Sequence, residues 1–561
     1  MRARVLTTLT ALVTAAGVAV PLTAATGAPR TEYVVLYGDD AAAARAAVRR
    51  LGGTVLRENG AVGVATVSTT NGSFASAAAR EASLAGVARN RPVGKAPKTG
   101  LIDRNAIERE GRGEARPAHA GPIDRAGGQA GSDPLAGLQW DMRMINATPS
   151  GSYAVQAGDR RVTVGVLDTG VDGSHPDIAP NFDNARSRNF TTDIPLVDGP
   201  CEEEPDGSCS DPANVDENSH GTHVASTIAS PINGIGMSGV APNVTIVNIR
   251  SGQDSGYFFL QPSVDALTYA GDIGIDVVNM SYYIDPWLYN CPNDPTATPE
   301  EQLEQRTIIA ATNRALDYAR KRNVVLVGAS GNSHTDLGAP TKFDASSPDF
   351  PPGTERDRTV DNSCLDMPTE GNNVLSINSV GPSGRKADYS NYGLEQASVA
   401  APGGWFRDGL GTPSYRAVSN QILAAYPRNV AEEFGDIDED GEPTSEFVVK
   451  SCDGTTCGYY QWIQGTSMAS PHAAGVVALI VSQYGTKDGK HKGELTLNPV
   501  QSEKILFATA APHACPPGGT QSYVDVGRPA SWDAVCQGTT EFNGFYGHGI
   551  VDALAAVSSR R

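Results

Sequence analysis

Ser467 stands in Gly465-Thr466-Ser467-Met468-Ala469-Ser470-Pro471-His472, just ahead of a run, Ala473 to Val481, that is apolar on almost every face. A helix without a polar stripe is a buried one. A serine at the start of such a helix lies beside free backbone N–H groups and the positive end of the helix dipole, and both favour an oxyanion. A Ser/Thr cap on an ordinary core helix would give the same octapeptide, so the rest of the chain must decide. A serine hydroxyl is a weak nucleophile alone. It needs a base, and the base needs a group to orient it. Asp168 follows Val162-Thr163-Val164-Gly165-Val166-Leu167, a short branched apolar run that reads as a buried strand. His220 stands in Ser219-His220-Gly221-Thr222-His223. The chain therefore carries Asp, His and Ser in that order, the residue types for acyl transfer through a serine.

These segments are longer than any one short motif, and together they resemble the subtilisin-like serine proteases, or subtilases. Asp168-Thr169-Gly170-Val171-Asp172-Gly173-Ser174-His175-Pro176-Asp177 is similar to that family's aspartate motif. Residues 219–225 are similar to its histidine motif, and residues 465–471 to its serine motif. A fourth piece, Val324 to Asn332, is similar to the strand that ends in the family's oxyanion asparagine. The resemblance runs from about residue 137 to the C-terminus. It implies that Asp168 orients, that His220 is general base and then acid, and that Ser467 attacks. Asn332 and the backbone N–H of Ser467 would hold the oxyanion, and Ser281 and Gly331 would border the substrate. Tyr282-Tyr283 departs from the small residue usual after that serine, which leaves the cleavage preference open.

The elements that must position these groups alternate. Strands are expected at 244–249, 275–281 and 324–332, and helices at 263–271 and 306–320. Such alternation predicts an α/β domain, a mostly parallel sheet with helices on both faces. A smaller α+β unit is expected before it. Strands at 33–37, 54–56 and 62–67, a helix from Ala41 to Leu51 and another from Phe74 to Val87, with room for a short strand after it, suit a ferredoxin-like module. This unit resembles the inhibitory prodomain that precedes many subtilases. The organisation read from the sequence is a signal peptide over 1–28, a prodomain over 29–96, a linker with the maturation cut over 97–133, and a catalytic domain over 134–561.

Charge agrees with that division. Residues 29–130 carry 15 Lys and Arg against 10 Asp and Glu, while the whole chain has a net charge of −19. A basic module joined to an acidic one associates with electrostatic help. Arg2 and Arg4, the uncharged stretch Val5–Ala19 and the small residues after Pro21 have the form of a secretory signal. A secreted, extracellular location follows from it. No later stretch is long and apolar enough to span a bilayer, and the large domain has no basic footprint for nucleic acid. The expected partners are protein or peptide substrates and the chain's own prodomain, on a monomer with no membrane attachment once the signal is removed.

Catalysis of this type needs no cofactor. A structural Ca²⁺ is implied by the resemblance, which puts Asp177 and Asn233 among its side-chain ligands, with Gln139 a further candidate. Asp436-x-Asp438-x-Asp440-Gly441 imitates the opening of an EF-hand loop. Position twelve is Phe447 where a bidentate Glu is required, so it reads as a solvated acidic insertion. All eight cysteines lie between Cys201 and Cys536. An even count in an exported chain points to disulfides, with 105 possible connectivities. Loop length proposes Cys201–Cys209, Cys291–Cys364, Cys452–Cys457 and Cys515–Cys536. A lipase or esterase would need a Gly-x-Ser-x-Gly elbow and the order Ser, Asp, His, and both are missing. The alternative from another class is a non-catalytic binding protein on a subtilase fold.

Overall fold

In the computed structural model, residues 30–90, 107–112, 132–195, 197–203, 207–344 and 357–559 are described. The expected signal and most of the expected linker lie outside them.

The N-terminal module is β1 (Thr31–Tyr37), α1 (Ala41–Arg50), β2 (Gly53–Asn59), β3 (Val64–Thr69), α2 (Phe74–Ala78) and β4 (Leu84–Asn90). Its sheet is antiparallel in the order β2-β3-β1-β4. Asp40 caps α1, accepting from the N–H groups of Ala42 and Ala43 at 2.9 Å each. Successive strand residues face opposite ways, and β1 uses both faces. Tyr33, Val35 and Tyr37 pack on Ala44, Ala47, Val48 and Phe74 of the module's own helices. Val34 and Leu36, with Val64 and Ala88, join the core of the large domain. The second helix expected over 74–87 is only five residues long, and residues 84–90 form an edge strand against β1. Alanine content suggested a longer helix. Pairing with β1 overrides that propensity, and Gly86 is weak in a helix interior but fits the strand at its contact with Thr307.

In the large domain, β5 (Thr163–Leu167), β6 (Arg188–Asn189), β7 (Thr245–Arg250), β8 (Val277–Met280) and β9 (Val325–Ala329) build the middle of the sheet. A small antiparallel pair, β10 (Lys342–Asp344) and β11 (Arg358–Val360), follows outside it. Then β12 (Val374–Val380) and β13 (Ala397–Pro402) complete a seven-stranded sheet in the order β13-β12-β9-β8-β5-β7-β6. All its pairings are parallel. A short α3 (Trp140–Met144) precedes the sheet, and α4 (His220–Ala229), α5 (Leu260–Ile273), α6 (Pro299–Arg320), α7 (Arg428–Glu433) and α8 (Thr466–Tyr484) follow along the chain. A second, antiparallel sheet is β14 (Ile422–Tyr426), β16 (Thr456–Ile463) and β15 (Val448–Asp453), in that order.

Helices cover both faces of the parallel sheet. Val164 and Val166 of β5 pack with Val224, Ile228 and the apolar run of α8, while Val247, Ile249 and Val278 pack with α5 and α6. Every residue of α8 from Thr466 to Ser482 is buried. Helix α6 starts seven residues before the expected Arg306, with a capping box between Thr298 and Glu301. Its first two turns are Glu- and Gln-rich, so apolar periodicity finds only its second half. All four expected disulfides form, and no cysteine is free. Buried guanidiniums tie the insertions near them. Arg250 reaches Asp211 at 2.6 Å and Asp254 at 2.7 Å, and Arg358 pairs with Asp294 at 2.9 Å and with Asp344.

Candidate active site

Asp168 is the first residue past β5, at the carboxyl end of the sheet, and is fully buried. His220 opens α4. Its Nδ1 lies 2.7 Å from Asp168 Oδ1. Asp216, which sequence reasoning passed over, fixes this register. Its carboxylate accepts from Thr222 N at 3.0 Å, Thr222 Oγ1 at 2.6 Å, Ser219 N at 3.0 Å and Thr169 Oγ1 at 3.2 Å. One buried acid thus joins the end of β5 to the start of α4. An acid placed just before a Ser-His helix start is the N-terminal signal that could have found it.

Ser467 is the second residue of α8. Asn332 stands three residues past β9, and its Oδ1 accepts from Thr466 N and from Thr466 Oγ1, both at 2.9 Å. Those bonds leave the Asn332 amide N–H groups to point at Ser467's surroundings. Thr466 is a second residue the sequence reading missed. Gly331 lines the same cleft at φ +97°, and a Cβ there would meet Asn391 Nδ2 at 2.5 Å. Ser281 also lines the cleft, but its hydroxyl is used on α8, donating to Ser467 O at 3.2 Å and pairing with Ser470 Oγ at 2.8 Å. Tyr282 stacks on Phe258, with ring centroids 4.0 Å apart. Both rings, and Tyr283, line the cleft beside Ser281, where a small residue is expected.

Residues 107 and 108 of the same chain lie in the site. Glu108 Oε1 lies 3.6 Å from His220 Nε2 and 3.4 Å from Asn332 Nδ2, and Ser467 lines the same cleft. Burial works against charge on His220, but the Asp168 and Glu108 carboxylates outweigh it and hold the imidazole well above its usual range. Burial likewise opposes charge on Glu108, yet His220 and the Ser467 hydrogen bond keep its carboxyl below the usual range. For Asp168 burial dominates over the pull of His220 and raises the carboxyl. Two carboxylates thus flank the His220 ring and favour its charged form. No sequence signal in the linker pointed to Glu108.

The sequence profile described as the subtilase family matches residues 159–549. The chain belongs to the subtilase family. This subtilase is 28% identical over 330 residues to subtilisin DY of Bacillus licheniformis, covering 58% of its own length and 78% of that protein. It is 26% identical over 371 residues to the nisin leader peptide-processing serine protease of Lactococcus lactis subsp. lactis, covering 66% of its own length and 46% of that protein. Among solved structures it is similar in fold to the epidermin leader peptide processing serine protease of Staphylococcus aureus. The TM-score is 0.60 at 19% identity, over 95% of this chain and 99% of that one. Fervidolysin of Fervidobacterium pennivorans gives a TM-score of 0.55 at 22% identity, over 95% of this chain and 61% of that one. The subtilase is a subtilisin-like serine endopeptidase that acts on peptide bonds. Its chemistry needs no catalytic cofactor.

The residues singled out for calcium meet in part. Asp177 is fully buried, with Oδ2 bonded to Met237 N at 3.0 Å and Tyr460 Oη at 3.1 Å, while Oδ1 has no partner. Burial pushes its carboxyl well above the usual range. Asn233 donates its amide to Pro176 O at 3.2 Å and accepts from Ile235 N at 3.0 Å. Both ends of the Gln139 amide are taken by the Ser238 backbone, at 2.8 and 3.2 Å. Asp133 holds the loop from the other side through Asn233 N, Gly234 N and Ser238 Oγ. The one group of carboxylates close enough to share a cation, among the described residues, is Asp193, Asp211 and Asp254, and Arg250 already stands among them. In the acidic insertion Asp438 accepts from Asp440 N and Glu442 N, and Asp436 from Arg112. Those carboxylates serve the loop itself and the linker.

Proposed function

We propose that this endopeptidase is exported as a self-processed precursor and hydrolyses proteins through an acyl-enzyme on Ser467. His220 takes the Ser467 proton as the hydroxyl attacks, and later gives it to the leaving amine. Asp168 holds the ring through Nδ1 and stabilises the imidazolium. The Asn332 amide and the Ser467 N–H receive the negative charge of the tetrahedral intermediate. The observation that carries this reading is the 2.7 Å Asp168–His220 contact beside a serine and an asparagine that converge on one carboxylate, that of Glu108.

The decisive experiment is N-terminal sequencing and peptidase assay of secreted protein, wild type beside Ser467→Ala. Wild type is expected to lose residues 1–28 and then 29–133 and to be active, while the variant stays joined and inert. His220→Ala should be equally inert, and Asp168→Asn should fold but lose several orders of magnitude in rate. Cleavage by Ser467→Ala at the wild-type rate would overturn the mechanism in favour of a different nucleophile. A folded wild type that cleaves nothing would favour the binding-protein alternative.

The module over 29–96 is read as folding aid and inhibitor. Support comes from its sheet face, shared with α5 and α6, and from Arg57, whose Nε lies 2.6 Å from Asp265 Oδ2. Residues 134–561 expressed behind the signal should gain full activity only when 30–133 is supplied. The protein is read as a monomer. For a structural Ca²⁺, the bare buried Oδ1 of Asp177 is the group a cation would relieve, with Asn233 beside it. Chelator is expected to lower the melting temperature, and Asp177→Asn to abolish the response. An unchanged melting curve would remove calcium from the account.

A further inference from the structure

Residues 107–112 cross the cleft in one direction. Ile107 lies in the pocket with Tyr283 and Leu288, Glu108 meets His220 and Ser467, and Glu110 follows. The main chain is held like a bound peptide. Gln464 N donates to Glu108 O at 3.1 Å, Gln464 Nε2 to Ile107 O at 2.9 Å, and Gln421 Nε2 to Glu110 O at 2.9 Å. The Glu110 carboxylate then enters a cationic recess. Arg407 Nε donates to it at 2.6 Å, Arg528 Nη2 at 3.0 and 3.2 Å, and Gln464 Nε2 at 3.1 Å.

The recess has holds besides its occupant. Arg407 is also held by Val526 O at 3.0 Å. Arg528 is held by Asp388 Oδ2 at 2.5 Å and lies over Trp532 at 4.3 Å. Both guanidiniums are largely buried, at 15% and 13% side-chain exposure. Asp388 balances one of the two charges, so withdrawal of Glu110 leaves a buried cation seeking a carboxylate. Such charge-assisted, forked contacts discriminate strongly between an acid and its amide. None of these groups is needed for the hydrolytic steps assigned above.

We infer that Arg407 and Arg528 form a specificity subsite for an acidic side chain, and that Glu110 occupies it in the precursor. A substrate running in the direction of residues 107–112 would set this side chain shortly C-terminal to the bond cut. The preferred substrates are therefore peptides or proteins with Glu or Asp soon after the scissile bond. This rests on the protease reading, so the test separates binding from hydrolysis.

For binding, the full chain carrying Ser467→Ala and Glu110→Gln is titrated with acetyl-Ile-Glu-Arg-Glu-Gly-Arg-amide and with its analogue bearing Gln at the fourth place. The Gln peptide should bind about tenfold more weakly. Adding Arg407→Gln or Arg528→Gln should erase that difference, and Arg407→Lys should keep part of it. Melting temperatures of each variant establish that it is folded. Equal affinity for the two peptides, or a difference that survives both Arg replacements, would overturn the subsite. For hydrolysis, the active enzyme is given quenched peptides paired as Glu or Gln after the cut, with about tenfold higher kcat/KM expected for Glu. Discrimination in binding with none in cleavage would mean that the recess serves only the linker, and the specificity claim would fall. Absence of all hydrolysis would sink the protease reading, while the titrations still decide the subsite.

Discussion

At the scale of single residues, the site is a set of groups each made useful by a neighbour. Asn332 presents its amide because Thr466 occupies its oxygen. Asn332→Ala should therefore cost about 10²–10³-fold in kcat with little change in KM, and Thr466→Val should act in the same direction by a smaller factor. Steady-state kinetics on one peptide check both, and a pure KM effect would count against the oxyanion role. Glu108 makes a pH prediction. It and His220 are oppositely charged between the lowered range of the carboxyl and the raised range of the imidazole. The contact is present in that window. It is lost as pH rises through the raised His220 range, because the imidazolium disappears, and as pH falls through the lowered Glu108 range. Uncleaved precursor should gain peptidase activity toward high pH, and Glu108→Gln should show that activity at neutral pH. A precursor equally silent at all pH values, with or without Glu108, would remove the carboxylate from the inhibition.

At the scale of elements, the close fit of α8 is the exposed weakness. A Cβ on Gly475 would lie 2.5 Å from Val240 Cβ. Gly475→Ala should therefore destabilise the domain by about 1–3 kcal/mol despite its better helix propensity, read as a lower denaturation midpoint. An unchanged or higher midpoint would mean that the segment around Val240 yields. This helix also marks where the sequence was most legible. Its apolar run, the short branched strands and the three motifs left few choices for the parallel sheet. What escaped reading had no periodic signal. The start of α6 is polar, β4 follows an alanine-rich stretch that suits a helix, and the hold of Asp216 on two elements depends on contacts 47 residues apart in sequence. Glu108 was invisible for another reason. Its role depends on where an irregular linker is laid, and composition says nothing of that.

At the scale of the whole molecule, three pieces of one chain meet at α5, α6 and the cleft. The module's sheet supplies one contact surface and residues 107–112 the other. Two sites joined by one chain reinforce each other through effective concentration. Asp265→Ala, which removes the partner of Arg57 and Asn59, should weaken inhibition by separately added 30–133 about tenfold, while leaving the kcat of the mature enzyme unchanged. Inhibition assays on the mature variant test this, and an unaltered inhibition constant would assign the docking to the apolar face alone.

The four disulfides all lie beyond residue 200, and the module of residues 30–90 has none. For the two products of the proposed cut, the consequence is a difference in lifetime. A fragment of that size, deprived of the face that β1 and β3 share with α5 and α6, keeps only the core on its helix side and opens often. The stapled enzyme opens rarely. In a medium that contains the active protease, the module proposed as inhibitor would be the perishable partner, so the release of activity would feed its own acceleration.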